Sequence, residues 1–517
     1  MLPRVAAPAT PAYSFTLFDV PGATSTSITG INDAGDIVGA YSTPTGNHGF
    51  FRAVGGTSVV SFDAPDGGQI GAPLINSQRQ IAFASVTNLE PGDISTNVYL
   101  RSADGPQYTL LTGFADRGFL LGLNDLGQVI GEDLTLGLDL WFVANADGTP
   151  AAITVSQNGY FGINDAGQVL TSGNGMILLD NANGTPSGRH LDVPSSAASF
   201  TMSNNGFVAG VYFQAANITD QQVLVGDLNT NTYSLLDLPG YNGGEIGGPN
   251  LLAANDFGVV AGTVASGHGF IATPVVTTAL NPAGIVNGAS YANESVAPGE
   301  VVVLRGTGLG PPDLDLATAN SSGFFPTTIL TTRVLFDGVA APLIYVWGGQ
   351  TAAIVPYEVT GTSTQVQVEY LGTLSTAVTM SVAPSAPGVF TLDSSGSGPG
   401  LILNQDNTIN TAANPAKRGD IVYFYATGFG RTLPAGTTGK VTPINVPFIL
   451  NQPLPVKVAI GNEPARVLYD GPAPGLVAGI SQLNVVVPVS APAGATVPLV
   501  VQVGNGTSQT GVTIALK

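Results

Sequence analysis

Short apolar runs alternate along this chain with turns rich in Gly, Pro, Asn and Asp, and no long run of good helix formers interrupts them. Runs such as Ile37-Val38-Gly39-Ala40-Tyr41, Gly49-Phe50-Phe51-Arg52 and Leu140-Trp141-Phe142-Val143 have the length and residue types of strands. The stretch Gly30-Ile31-Asn32-Asp33-Ala34-Gly35-Asp36-Ile37-Val38-Gly39 reads as strand, tight turn, strand. It recurs with its Asn at Asn32, Asn76, Asn124, Asn164, Asn204 and Asn255, at intervals of 44, 48, 40, 40 and 51 residues.

A period of 40–50 residues with several short strands per unit is the signature of propeller blades. A third strand follows each turn pair, and a fourth ends in an Asp-x-Pro corner at Asp63, Asp192 and Asp237. Four strands in each of six units predict a six-bladed β-propeller over 1–275. The chain opens with a fourth-strand copy, Phe15-Thr16-Leu17-Phe18-Asp19-Val20-Pro21, and the last repeat stops after three strands. Residues 13–20 are therefore expected to complete the blade that begins at Leu251, leaving no free sheet edge.

Near Leu280 the pattern changes. Val296-Ala297-Pro298-Gly299-Glu300 and the apolar run after it reappear 120 residues later as Ala416-Lys417-Arg418-Gly419-Asp420. Later strands repeat as well, with Val334-Leu335-Phe336 answered by Val456-Lys457-Val458. Short strands joined by Gly/Pro turns predict two immunoglobulin-like β-sandwiches, over 276–385 and 386–517. The whole chain is thus expected to be all-β, with three domains.

Composition narrows the functional classes. Residues 1–275 carry six Arg, no Lys and 22 Asp plus Glu, a net charge of −16, whereas 276–517 carry −3. An acidic surface repels phosphate backbones, which argues against a nucleic-acid partner. The absence of Cys excludes disulfides and Cys-ligated metals. No segment has the apolar length to span a bilayer as a helix. The first residues, Met1-Leu2-Pro3-Arg4, lack the apolar core of a signal peptide.

The Asn-Asp-x-Gly turns, the Val-Gly that follows them, and the triplets His48-Gly49-Phe50 and His268-Gly269-Phe270 resemble the HAF-repeat proteins of bacteria, over about residues 13–273. Val286-Asn287-Gly288-Ala289-Ser290, Gly308-Leu309-Gly310, Ala386-Pro387-Gly388-Val389-Phe390 and Gln482-Leu483-Asn484-Val485 are similar to the tandem immunoglobulin-like C-terminal domain, related to IPT/TIG modules, of acidobacterial secreted proteins. Both resemblances imply an extracellular or cell-surface protein whose leader has been removed; neither implies an activity.

Candidate chemistry is sparse. The repeated turns offer oxygens to calcium, but Asn and Asp cap tight turns by themselves, and no turn has the alternating ligands and distal Glu of an EF-type loop. Turn chemistry is the preferred reading, with no resident metal or cofactor. His48 and His268 hold equivalent positions in the first and last units and are expected to reflect the repeat rather than a shared metal. No nucleophile motif stands in a catalytic setting, so no catalytic residue is assigned. Ligand-binding candidates are instead Asp66, Asp116, Arg117, Tyr160, Tyr241, Asn242 and Glu245, on loops assigned to the propeller face opposite the turns. The favoured function is a non-catalytic binding or adhesion protein for polysaccharide or a surface protein. A propeller enzyme acting on a glycan or lactone, and a structural surface-layer component, are the alternatives.

Overall fold

The computed structural model describes residues 12–90, 93–111, 118–133, 140–145, 150–151, 160–173, 176–181, 186–193, 197–213, 221–236, 252–264, 266–433, 436–444 and 453–517. The chain divides into two compact units, Met1–Val275 and Val276–Lys517. Apart from a 3-10 turn at Pro282–Gly284, every regular element among the described residues is a strand. No helix among them is long and apolar enough to cross a membrane.

The described residues of the first unit form six antiparallel sheets. In the first, strands Ser25–Ile31, Ile37–Thr43, Gly46–Arg52 and Val60–Phe62 follow one another as a meander. Apolar side chains on neighbouring sheets meet face to face. Val38, Phe51 and Phe62 of the first sheet pack with Ile75, Ile81 and Phe83 of the second. Leu170 and Ile177 of the fourth meet Val208 and Leu224 of the fifth, and Val223 and Val225 of the fifth meet Val260 and Phe270 of the sixth. This sheet-by-sheet stacking is the arrangement of a β-propeller.

The cycle closes on itself. Strand Tyr13–Phe18 pairs antiparallel with Gly269–Pro274, from Tyr13 opposite Pro274 to Phe18 opposite Gly269. It becomes the outer strand of the sheet that also holds Leu252–Ala254 and Val260–Thr263. Tyr13 and Phe15 pack against that sheet's core. Phe18 reaches the first sheet, with its ring 5.5 Å from that of Phe50 and under the Arg52 guanidinium.

Among its described residues the second unit holds two large cores. In the first, a sheet containing Val301–Thr307, Leu343–Val346 and Gln350–Ile354 faces one containing Thr332–Phe336, Ser363–Tyr370 and Val378–Ser381. Val302, Leu304 and Ala353 meet Val334, Phe336, Val366 and Val368 between them. Period-two alternation explains this, since Thr364, Val366, Val368 and Tyr370 point inward along one strand while Gln365, Gln367 and Glu369 point outward. In the second core, strand Glu463–Pro472 pairs with Ile480–Val486 along one stretch and with Val456–Ile460 along the other. A register shift between Val467 and Tyr469 lets the ladder continue around the core built on Val422, Phe424, Leu483 and Leu499.

Where the two cores meet, Asn287 and Glu300 form a buried polar joint. Asn287 Nδ2 donates to Glu300 Oε1 at 2.8 Å and to the Ala386 carbonyl at 2.9 Å. Ala297 N donates to Glu300 Oε2 at 2.6 Å. Beside it, Thr427 Oγ1 accepts from Val301 N and donates to the Gly479 carbonyl, both at 2.8 Å. Burial pushes the Glu300 carboxyl up to about 8 against the pull of its two donors.

Two outcomes follow. Removing residues 1–21 exposes the edge of Gly269–Pro274 and uncovers the core beneath Tyr13 and Phe15, so the first unit is expected to lose more than ~3 kcal/mol in thermal unfolding; an unchanged transition would contradict closure by this strand. The folded pKa of Glu300 lies above its ordinary 4.5, so the stabilisation is full below about 4.5 and is lost as pH rises towards 8. Urea unfolding of the second unit should therefore show a loss, on the order of 3 kcal/mol between pH 5 and pH 9, that Glu300→Gln flattens.

Candidate functional site

The repeated turns gather at one place in the first unit. Each is closed by the same pair of backbone bonds, as in Asn32 N to the Asp36 carbonyl at 3.1 Å and Gly35 N to the Asn32 carbonyl at 3.0 Å. Asn32 Oδ1 accepts from Asp36 N within the turn, and Asn76, Asn124 and Asn255 accept from Gln80, Gln128 and Val259 in the same way. Their amide nitrogens reach the neighbouring repeat. Asn32 donates to the Asn76 carbonyl at 3.2 Å, Asn76 to Asn124 at 2.9 Å, Asn124 to Asn164 at 3.1 Å, and Asn255 back to Asn32 at 3.1 Å.

The fifth repeat corrects the register expected from sequence. Ser203, not Asn204, takes the place of Asn32: Ser203 N bonds the Phe207 carbonyl, Gly206 N bonds the Ser203 carbonyl, and Phe207 N donates to Ser203 Oγ. Asn204 stands where other repeats carry Asp. The turn glycine is the signal that fixes this frame, because Gly206 at φ 88° matches Gly35 at φ 84°. In the second repeat Arg79 holds that position at φ 59°, and its guanidinium is anchored by Asp36 at 3.1 Å, Asp104 at 3.1 Å and the Phe51 ring.

The residue after the Asn forms a second cycle, which in the fifth repeat runs through both Asn204 and Asn205. Ser77 N donates to Asp125 Oδ1 at 2.6 Å, Asp125 N to Asp165 at 2.7 Å, Asp165 N to Asn204 at 3.0 Å, Asn205 N to Asp256 at 2.5 Å and Asp256 N to Asp33 at 2.9 Å. Ser77 Oγ donates to Asp33 Oδ2 at 2.8 Å. Burial and the neighbouring Asp256 carboxylate raise the Asp33 carboxyl to about 6, and burial raises Asp256 and Asp165 as well. Behind the turns lies a cavity of about 70 Å³, lined by Gly30, Leu74, Gly122, Ile163 and Ala254 among others. Room for about two waters remains there. The inner strands approach backbone to backbone: a Cβ on Gly122 would come 3.0 Å from Gly162 Cα and 3.0 Å from Ile163 N.

This constellation can share protons and can tie repeats together. Among the described residues, no group of three or more His, Cys, Asp or Glu side chains is placed to hold a metal. The two histidines are each held by the Asp-x-Pro corner of their own sheet, with His48 Nδ1 at 2.6 Å from Asp63 and His268 Nδ1 at 2.9 Å from Asp19.

Of the candidate ligand-binding residues, Asp66 is fully described. Its carboxylate accepts from Ser85 Oγ at 2.5 Å, Asn97 Nδ2 at 2.8 Å, Tyr99 OH at 3.1 Å and Gly68 N at 3.1 Å. Burial opposes its charge, but the four donors prevail and hold the carboxyl below its usual range. Ser85, Asn97 and Tyr99 went unnoticed in sequence because they stand on two strands, Gln80–Glu90 and Asp93–Ser102, away from the Asp66 loop. Tyr160 opens the strand Tyr160–Ile163, opposite Thr171. Asp116, Arg117, Tyr241, Asn242 and Glu245 lie outside the described residues.

Ionising Asp33 disfavours the folded state, since its folded pKa is raised. Its stabilisation is full below about 4 and is lost as pH rises through 6. Asp33→Asn keeps an acceptor for Asp256 N, and it is expected to raise stability at pH 7.5 by ~2 kcal/mol while flattening the profile between pH 4 and pH 6, measured by chemical unfolding.

No protein-family model matches the chain, and no curated protein sequence matches it. Among solved structures, virginiamycin B lyase from Staphylococcus aureus is similar over 51% of this chain and 100% of its own, at 10% identity and a TM-score of 0.32. TolB from Acinetobacter baumannii is similar over 46% of this chain and 63% of its own, at 14% identity and a TM-score of 0.32. A putative gluconolactonase is similar over 51% and 92%, at 15% identity and a TM-score of 0.32. Likeness this low carries no inference about activity, and the propeller assignment rests on the sheets themselves.

Proposed function

We propose that the chain is a secreted or cell-surface, non-catalytic binding protein. In this reading a six-bladed propeller presents a binding face, and two immunoglobulin-like sandwiches, meeting near residue 385, serve as its stalk. The observation that carries it is where the repeat spends its polar groups. The turn carboxylates accept backbone N–H groups of neighbouring repeats, and both sequence-equivalent histidines pair with corner aspartates. The most regular chemistry in the sequence therefore builds a closed scaffold. Loops at the other ends of the strands are left to vary, and loops on a rigid scaffold are where binding concentrates. Secretion is supported by the resemblance of both halves to extracellular proteins. The ligand classes are a polysaccharide or a surface protein, engaged through Asp116, Arg117, Tyr241, Asn242 and Glu245.

A glycan array and a surface-protein capture assay on the intact chain test this. Saturable binding to a member of either class is expected, with Glu245→Ala weakening it at least tenfold. Turnover of a glycan or a lactone by the intact chain would replace this reading with the enzymatic one.

A further inference from the structure

On the outer face of the sheet holding Val301–Thr307, Leu343–Val346 and Gln350–Ile354, Tyr291 and Tyr345 pack against a small cluster of Val286, Val303 and Ala352, apart from the two large cores. Trp347 stands at the turn joining Leu343–Val346 to Gln350–Ile354, across from Gln350, and 45% of it is exposed. The benzo ring of Trp347 packs against Gly349, where an added Cβ would lie 3.5 Å from the ring. Its indole N–H donates to the Pro312 carbonyl at 2.8 Å. The polar edge is thus committed, while nearly half of the residue stays exposed.

The surroundings are ordered in advance. Arg305 stands opposite Gln350 in the ladder, and its Nε donates to Gln350 Oε1 at 3.2 Å. Gln350 Nε2 in turn donates to the Tyr345 hydroxyl. The Arg305 guanidinium lies 5.2 Å from the centre of the Tyr291 ring, and Tyr291 OH is tied to the Ser394 carbonyl at 2.7 Å. Leu316, opposite Tyr345 and 64% exposed, continues the apolar strip.

We propose that this face and Trp347 together bind a neutral polysaccharide chain. A pyranose ring has a flat C–H face that stacks on an indole and equatorial hydroxyls that need in-plane partners at the rim. Arg305 and Gln350 are fixed to supply those partners, so little side-chain entropy is lost on binding. Exposed Asp313 follows directly on the residue whose carbonyl holds the indole, and a carboxylate there disfavours an acidic chain. The site belongs to the second unit, and none of its residues is among those of the proposed function.

Affinity electrophoresis of the intact chain through gels containing hydroxyethylcellulose, a soluble β-1,3-glucan or polygalacturonate tests the proposal. Retardation by at least one neutral glucan and none by polygalacturonate is expected. Trp347→Ala should weaken retention at least tenfold and Arg305→Gln severalfold, whereas Trp347→Phe should keep part of it. Thermal unfolding checks each variant, and if Trp347→Ala is unfolded, Arg305→Gln and Trp347→Phe decide. Free migration of the parent chain in both neutral glucans, or preference for polygalacturonate, overturns the proposal. Retention that survives in Trp347→Ala but vanishes in Glu245→Ala also overturns it, while leaving the proposed function standing.

Discussion

The side-chain amide of one turn donating to the backbone carbonyl of the next is the bond on which the first unit depends. A cycle of sheets brings its innermost hairpins together, and their carbonyls are shut away from water there. A buried carbonyl without a donor costs ~1–3 kcal/mol, and the cost recurs at each repeat. Asn meets the demand at both ends, because Oδ1 closes its own turn while Nδ2 reaches across. Ser203 closes its own turn with a shorter side chain. The carboxylates that follow play the complementary part, accepting N–H groups that would otherwise be left over. Burial first, and neighbouring carboxylates second, hold the Asp33 and Asp165 carboxyls above their ordinary range.

The second unit solves a related problem once, at a joint. The loop Ala297-Pro298-Gly299-Glu300 is wholly buried where the two cores meet. Its duplicate, Lys417-Arg418-Gly419-Asp420, closes in the same manner, with Lys417 N donating to Asp420 at 3.2 Å as Ala297 N donates to Glu300. The duplicate is largely exposed, and charged side chains stand where the first copy has Ala and Pro. One loop design thus serves twice, apolar where a neighbouring core covers it and charged where water does.

Strand periodicity and turn chemistry made much of this legible. Alternating positions such as Val366 and Val368 point inward because a pleat allows nothing else. The Asn turns gave the repeat, and the opening fourth-strand copy placed Tyr13–Phe18 beside the last sheet. What escaped the sequence was long-range pairing of polar groups. Ser203 was hidden because Asn204 beside it resembles the repeated residue more closely, although Gly206 marked the true frame. Asp66 read as a free loop carboxylate because its donors Ser85, Asn97 and Tyr99 lie 19, 31 and 33 residues away. Trp347 gave no signal at all, since a single aromatic in a Gly-Gly turn has no period to betray its orientation.

Closing the first unit with its own N-terminal strand also sets the order of events in folding. Ser14 and Thr273, which the closure brings together, are 259 residues apart. During synthesis the strand Tyr13–Phe18 emerges first and can find its place only after Gly269–Pro274 has been made. Until then two sheet edges stand open at once, and the entropy of closing so long a loop falls on a single late step. The nascent chain therefore passes through an aggregation-prone interval with every other sheet already written.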